Sequence, residues 1–230
     1  MGTEESLVSS PALLRLLQLS SSLFPIGAFA YSQGLENAVE REWVTDEASL
    51  VAWLCGLGEH AFGRLDLPLL ERAHAALRDG DTEAALLVGE RLLANRESRE
   101  LFEQEQQLGN AFAAVLANLG VPRARAVSGG RGTSYLVSYA LGAVHFGIGP
   151  ALAAFGYAYA WSEQQSSAAA RLVPLGHMAA QRVVSTLLLG IPAWVERASQ
   201  LADHEIGGVA PALAMGSAWH ETQYTRLFRS

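Results

Sequence analysis

Apolar residues recur at helical spacing along nearly the whole chain. After Pro11, the residues Leu13, Leu14, Leu16 and Leu17 leave Arg15 and Gln18 on the opposite side of a short amphipathic helix. Asp46 is placed as an N-cap, with Leu50, Val51, Leu54, Leu57, Gly58 and Ala61 following on one face. Asp66 is the expected cap of the next helix, with Pro68 in its first turn. Asp81, after the Asp79-Gly80 turn, opens a helix carrying Leu86, Leu87 and Leu93. The clearest pattern runs from Glu97 to Leu119. There Leu101, Leu108, Phe112, Val115, Leu116 and Leu119 form the apolar stripe, and Glu100, Glu103, Gln104, Gln107 and Asn110 are expected to face away.

Gly120 and Pro122 stop that helix, and residues 127–132 read as a loop. From Gly132 to Ser162 no position carries a formal charge, a length that invites a membrane reading. Gly147-Ile148-Gly149-Pro150 divides it into two pieces too short to cross a bilayer, rich in Gly, Ala, Ser and Tyr. Two buried helices joined at a Gly-Pro turn are the expectation. A further helical pattern from Ser162 to Leu189 contains Pro174, which should kink or split it. Gly190-Ile191-Pro192 is expected to begin another helix, and Gly207-Gly208 with Pro211 to punctuate the last. Nothing alternates with period two long enough for a sheet. The fold class expected is all-α: one multi-helix bundle of nine or ten helices over residues 11–218. A flexible tail is expected at 1–10, and a partner-binding tail at 219–230.

Composition narrows the function. The 230 residues carry 23 acids against 16 bases, a net charge of −7, and every base is arginine. An acidic chain without a basic stripe argues against nucleic acid. The absence of lysine removes Schiff-base and P-loop chemistry. A single cysteine, Cys55, and a polar, acidic start without a basic leader point to a reducing, cytoplasmic location and no membrane.

Motifs for catalysis are missing. Gly129-Gly130-Arg131-Gly132 lacks the Walker spacing, and Gly147-Ile148-Gly149 lacks the third glycine of a dinucleotide fingerprint. His204-Glu205 and His220-Glu221 have Gly208 and Tyr224 where a zinc protease needs its second histidine. Cys55 lies on a core face and reads as an inert thiol. The acids Glu97, Glu100, Glu103 and Glu105 read as a solvated face. No catalytic residue, metal site or cofactor is expected. A metal-dependent hydrolase built from His204 and His220 by folding, and a general helical adaptor, stand as the competing readings.

Two segments have unusual composition. Residues 23–36 are dense in aromatics, Gly and Pro, with Phe24, Pro25, Tyr31, Ser32, Gly34 and Glu36 as partner-binding or architectural residues. The C-terminal stretch carries Trp219, His220, Glu221, Tyr224, Arg226, Phe228 and Arg229, the composition of interface anchors. Packing back onto its own domain is the alternative, evenly balanced for Trp219. From Tyr224 onward a partner is preferred.

The stretch Phe24-Pro25-Ile26-Gly27-Ala28-Phe29-Ala30-Tyr31-Ser32-Gln33-Gly34-Leu35-Glu36 closely resembles the signature of the urease accessory protein UreF family. Residues 64–70, 95–101, 172–182 and 220–230 are similar to the same family, collinearly and over nearly the whole chain. One departure is Phe102-Glu103-Gln104-Glu105-Gln106-Gln107, where relatives often carry more arginines. The resemblance implies a non-catalytic, all-helical scaffold for urease maturation that forms homodimers. It further implies binding to the UreD (UreH) accessory protein and recruitment of the GTPase UreG to apo-urease for nickel insertion, with the C-terminal segment at the UreD contact and the dimer surface at the UreG contact. On that basis the tail is expected to order on UreD, with Trp219, Tyr224 and Phe228 as anchors and Arg226 and Arg229 pairing with carboxylates.

Overall fold

The computed structural model describes residues 11–230, and within them ten α-helices and no strand. The expected tail at 1–10 lies outside the described residues. Helices α1 (Pro11–Leu19), α2 (Leu35–Glu40), α3 (Glu47–Leu57), α4 (Asp66–Arg78) and α5 (Thr82–Ala94) are followed by α6 (Arg99–Asn118) and α7 (Tyr135–His145). The chain ends with α8 (Pro150–Leu172), α9 (His177–Gln200) and α10 (Pro211–His220).

Local chemistry starts most of these helices where the pattern indicates. Asp46 and Ser49 form a reciprocal capping box on α3. Asp81, Ser98 and Ser134 cap α5, α6 and α7 by accepting from backbone N–H groups three residues on. Pro150 and Pro211 stand in the first turns of α8 and α10, where a missing N–H costs nothing.

Helices α4, α7 and α8 form the centre. One helix, α4, packs on α5, α7, α8 and α9, while α8 packs along α9 and receives α1. Small residues permit the closest approach. A side chain at Gly156 on α8 would collide with Leu16 of α1 and Tyr139 of α7. The core gathers Phe112, Leu116, Leu136, Tyr139 and Tyr157 with the leucines of α3 and α4.

Four expectations are corrected. Asp66 is not a cap; the helix starts on it, and its carboxylate pairs with Arg96. Pro174 does split its pattern, but the second uncharged helix runs on through Ser162 to Leu172 as one element. Pro192 begins no helix. It lies inside α9, where Leu187, Ile191, Trp194 and Val195 are buried on both sides of it, and that burial carries the helix past one lost hydrogen bond. Finally, Gln104 and Glu105 of α6 are buried and Glu100 is half-buried, so the polar face there is largely internal. Each meets a partner from a distant segment, which amphipathic spacing does not register.

By length and composition, α9 is the one described helix apolar enough to cross a membrane, and it packs against α8 and α3. The uncharged stretch 132–162 does not meet that test.

Candidate partner-docking site

Glycine at position 34 allows the chain to turn into α2 with φ at +74°, and a Cβ there would press on the Ser217 backbone N at 3.2 Å. That close approach brings α10 against α2 and sets the tail beside the aromatic-rich loop. Glu36, in the first turn of α2, then receives the tail. Its Oε1 accepts the N–H of Leu227 at 2.7 Å, and its Oε2 accepts the N–H of Phe228 at 2.8 Å.

His220 lies between two acids and is fully buried. Its Nε2 is 3.2 Å from Glu36 Oε2 and its Nδ1 is 2.6 Å from Glu100 Oε2. Both nitrogens face atoms that only accept when ionised, an arrangement that a ring carrying both protons satisfies. Arg226 donates to the other Glu100 oxygen at 2.8 Å. Two acids, one arginine and one histidine therefore close a clasp over residues 220–228.

Beyond the clasp the tail continues inward. Phe228 is buried, and the Arg171 guanidinium sits 4.5 Å from its ring centroid. The Arg229 N–H donates to Ala30 O at 2.8 Å. Ser230 is buried, its carbonyl oxygen accepting from Ser32 and its hydroxyl donating to Gln104. Tyr31 donates its hydroxyl to Gln107 at 2.6 Å.

The outward side has different chemistry. Tyr224 is fully exposed and Leu227 more than half exposed. Trp219 packs at 5.8 Å against Trp43 and carries the Arg41 guanidinium 3.7 Å from its ring centroid. Trp219, Tyr224 and Arg41 edge a shallow groove of about 400 Å³, with Asn37, Glu40, Thr222 and Gln223. Glu221 accepts the Arg99 N–H at 2.9 Å.

The structure thus unites Ser32, Gly34 and Glu36 with His220, Arg226, Phe228 and Arg229. Phe24 instead enters the core, 4.5 Å from Phe112, while Pro25 stays at the surface. Tyr224 and Trp219 face solvent, whereas Phe228 and His220 face the protein's own interior. Sequence reasoning missed Glu100 and Gln104, which it placed on a solvated face; their partners lie more than a hundred residues away, and no local signal marks them. His204 lies in an exposed turn after α9, away from any metal-type cluster. Among the described residues no group of three or more His, Cys, Asp or Glu side chains is arranged to hold a metal ion. Cys55 is half-buried, and burial pushes its thiol up, away from the reactive thiolate.

The UreF family model matches residues 44–188, well over half of the chain. The chain belongs to the UreF family. Relatives extend the likeness to both ends. A urease accessory protein UreF from Chromohalobacter salexigens is 45% identical over 232 residues, covering 100% of each chain. Urease accessory protein UreF 2 from Brucella anthropi is 44% identical, covering 96% of this chain and 98% of its own. The UreF of Marinobacter nauticus is 41% identical, covering 95% and 94%. In this UreF-family chain the clasp ties the segment at 24–36 to the tail, and both lie outside the stretch matched by the family model.

Proposed function

We propose that this chain is a non-catalytic maturation factor for urease. It acts as a cytoplasmic scaffold that dimerises, binds a UreD-type (UreH-type) accessory protein, and recruits a UreG-type GTPase to apo-urease for nickel insertion. The observation that carries this reading is the full-length likeness to proteins named as urease accessory proteins. Chemistry supports it from the other side. A chain without lysine cannot supply a P-loop, so GTP hydrolysis falls to another protein. Its acid surplus gives no footing for nucleic acid.

The docking site for the accessory protein is the outward face of the clasped tail: Trp219, Tyr224, Leu227 and Arg229, flanked by Arg41. Exposed aromatics over a charged rim have the make-up of interface hot spots. Phe228 and His220 act from beneath by fixing the shape of that face, and Arg226 holds its exposed edge to Glu100. A tail already clasped pays little ordering entropy on binding, which favours tight association.

Complementation tests the reading. Cells whose own copy of this gene is deleted should regain urease activity and nickel-loaded enzyme when the chain is supplied. Full urease activity without the chain would overturn it.

A further inference from the structure

His220 ends α10 with no exposed surface, and its ring lies between acids carried by two other helices. Glu36 comes from the first turn of α2 and Glu100 from the first turn of α6. The ring reaches Glu100 Oε2 through Nδ1 at 2.6 Å and Glu36 Oε2 through Nε2 at 3.2 Å. An ionised carboxylate oxygen has no hydrogen to give, so each nitrogen must bring its own. A neutral imidazole has a single N–H and would turn a bare lone pair toward one of the two acids.

The other charged groups nearby are engaged or face water. Arg226 of the tail donates to Glu100 Oε1 at 2.8 Å. On α6, Arg99 pairs with Glu103 at 2.6 Å, and its backbone N–H goes to Glu221. At the end of α2, Arg41 donates to Asn37 and lies over Trp219, while Glu40 is exposed. Arg229 is exposed as well. Inside the clasp two carboxylates thus meet one arginine, and a second positive charge can come from His220 alone.

One oxygen couples that proton to the path of the chain. Glu36 Oε2 accepts the Phe228 N–H at 2.8 Å and also faces His220 Nε2. The contact to Glu100 is the shorter of the two, so Nδ1 keeps its proton and Nε2 is the nitrogen that goes bare. Its lone pair then opposes the very oxygen that anchors Phe228, in a site with little water to screen the repulsion.

We propose that His220 is a proton-operated latch for the tail, residues 221–230. With the ring doubly protonated, the tail is closed on α2 and α6. As pH rises the Nε2 proton passes to water, Glu36 loses its hold, and the tail opens while the helices stay folded. By linkage, the closed tail binds one proton more than the open tail once pH exceeds about 6.5, where a free histidine titrates. Closure therefore weakens about tenfold for each further pH unit. The consequence for partner docking rests on the reading given above, whereas the latch uses contacts within this chain alone.

The test uses the full chain without partners, at constant ionic strength, between about pH 7 and pH 9. Nitrogen-15 resonances of the His220 ring should show both nitrogens protonated at about pH 7. Amide protection at Leu227 and Phe228, corrected for the intrinsic pH dependence of exchange, should fall about tenfold per pH unit, with α7 amides unchanged. In His220→Gln, which can hydrogen-bond but has no proton to release, tail protection should be flat with pH whether the tail is closed or open. A ring with one bare nitrogen at about pH 7, tail protection independent of pH, or a slope retained in His220→Gln would each overturn the proposal. The first two measurements need no variant to fold. With no partner present, failure here is separate from failure of the maturation reading.

Discussion

Glu36 and Phe228 are 192 residues apart, and the carboxylate of the first accepts the backbone N–H of the second at 2.8 Å. The same carboxylate holds Leu227 and faces His220, so one side chain fixes three points of the tail. Its position follows from the turn at Gly34. Chain reversal, helix docking and tail geometry therefore depend on one short segment.

Removing that carboxylate should open the tail locally. In Glu36→Ala the buried Phe228 N–H and the part-buried Leu227 N–H lose their acceptor and His220 loses a partner, at a cost of about 2 kcal/mol or more. Hydrogen exchange at Leu227 and Phe228 should accelerate by at least about tenfold while amides of α7 keep their protection. Unchanged exchange at the tail would show that Glu36 does not hold it.

Substitution at Gly34 acts one step earlier. Gly34→Ala forces a side chain into φ +74° and against the Ser217 backbone. A loss of about 1–2 kcal/mol is expected, measurable by denaturant unfolding, with tail exchange again raised.

The trio at Arg96 gives a larger effect. Arg96→Ala leaves Asp66 and Glu105 buried without their counter-charge, for which about 3–5 kcal/mol is typical. Thermal unfolding should fall by roughly 10 °C in a chain of this size. A drop of only a degree or two would mean that the acids are reached by water.

Alkaline conditions should unfold the protein cooperatively. Burial pushes the Tyr135, Tyr139 and Tyr157 hydroxyls far up, with neighbouring Tyr139 and Glu105 adding to the effect at Tyr135. In the unfolded chain they ionise near pH 10. The unfolded state thus holds fewer protons than the native state above that pH, and stability declines as pH rises. Phenolate absorbance from these three residues should appear together with the loss of helical circular dichroism, beginning about pH 10. Ionisation well before helix loss would contradict their burial.

Helices announced themselves through spacing and caps: Asp46, Asp81 and Pro150 do what their positions imply. Asp66 and Pro192 mislead because tertiary forces outweigh local preference. An ion pair uses the first, and burial of Ile191, Trp194 and Val195 overrides the second. At the docking site, composition flagged both segments but not their contact. Helical periodicity reports which side of a helix is apolar; it says nothing of Glu100 meeting His220 across 120 residues. For the same reason the tail divides into inward Phe228 and outward Tyr224, a distinction that a list of aromatics lacks.

The most direct test of the scaffold and its tail is size-exclusion chromatography with light scattering. The full chain and a version ending at Thr222 would each be run alone, with a UreD-type protein, and then with a UreG-type GTPase, GTP analogue and Mg²⁺. The full chain should elute as a dimer, take up the accessory protein and then the GTPase, while the shortened chain remains helical and dimeric but binds no accessory protein. Undiminished complex formation by the shortened chain would contradict the tail as the docking site, and a full chain that ignores both partners would contradict the scaffold itself.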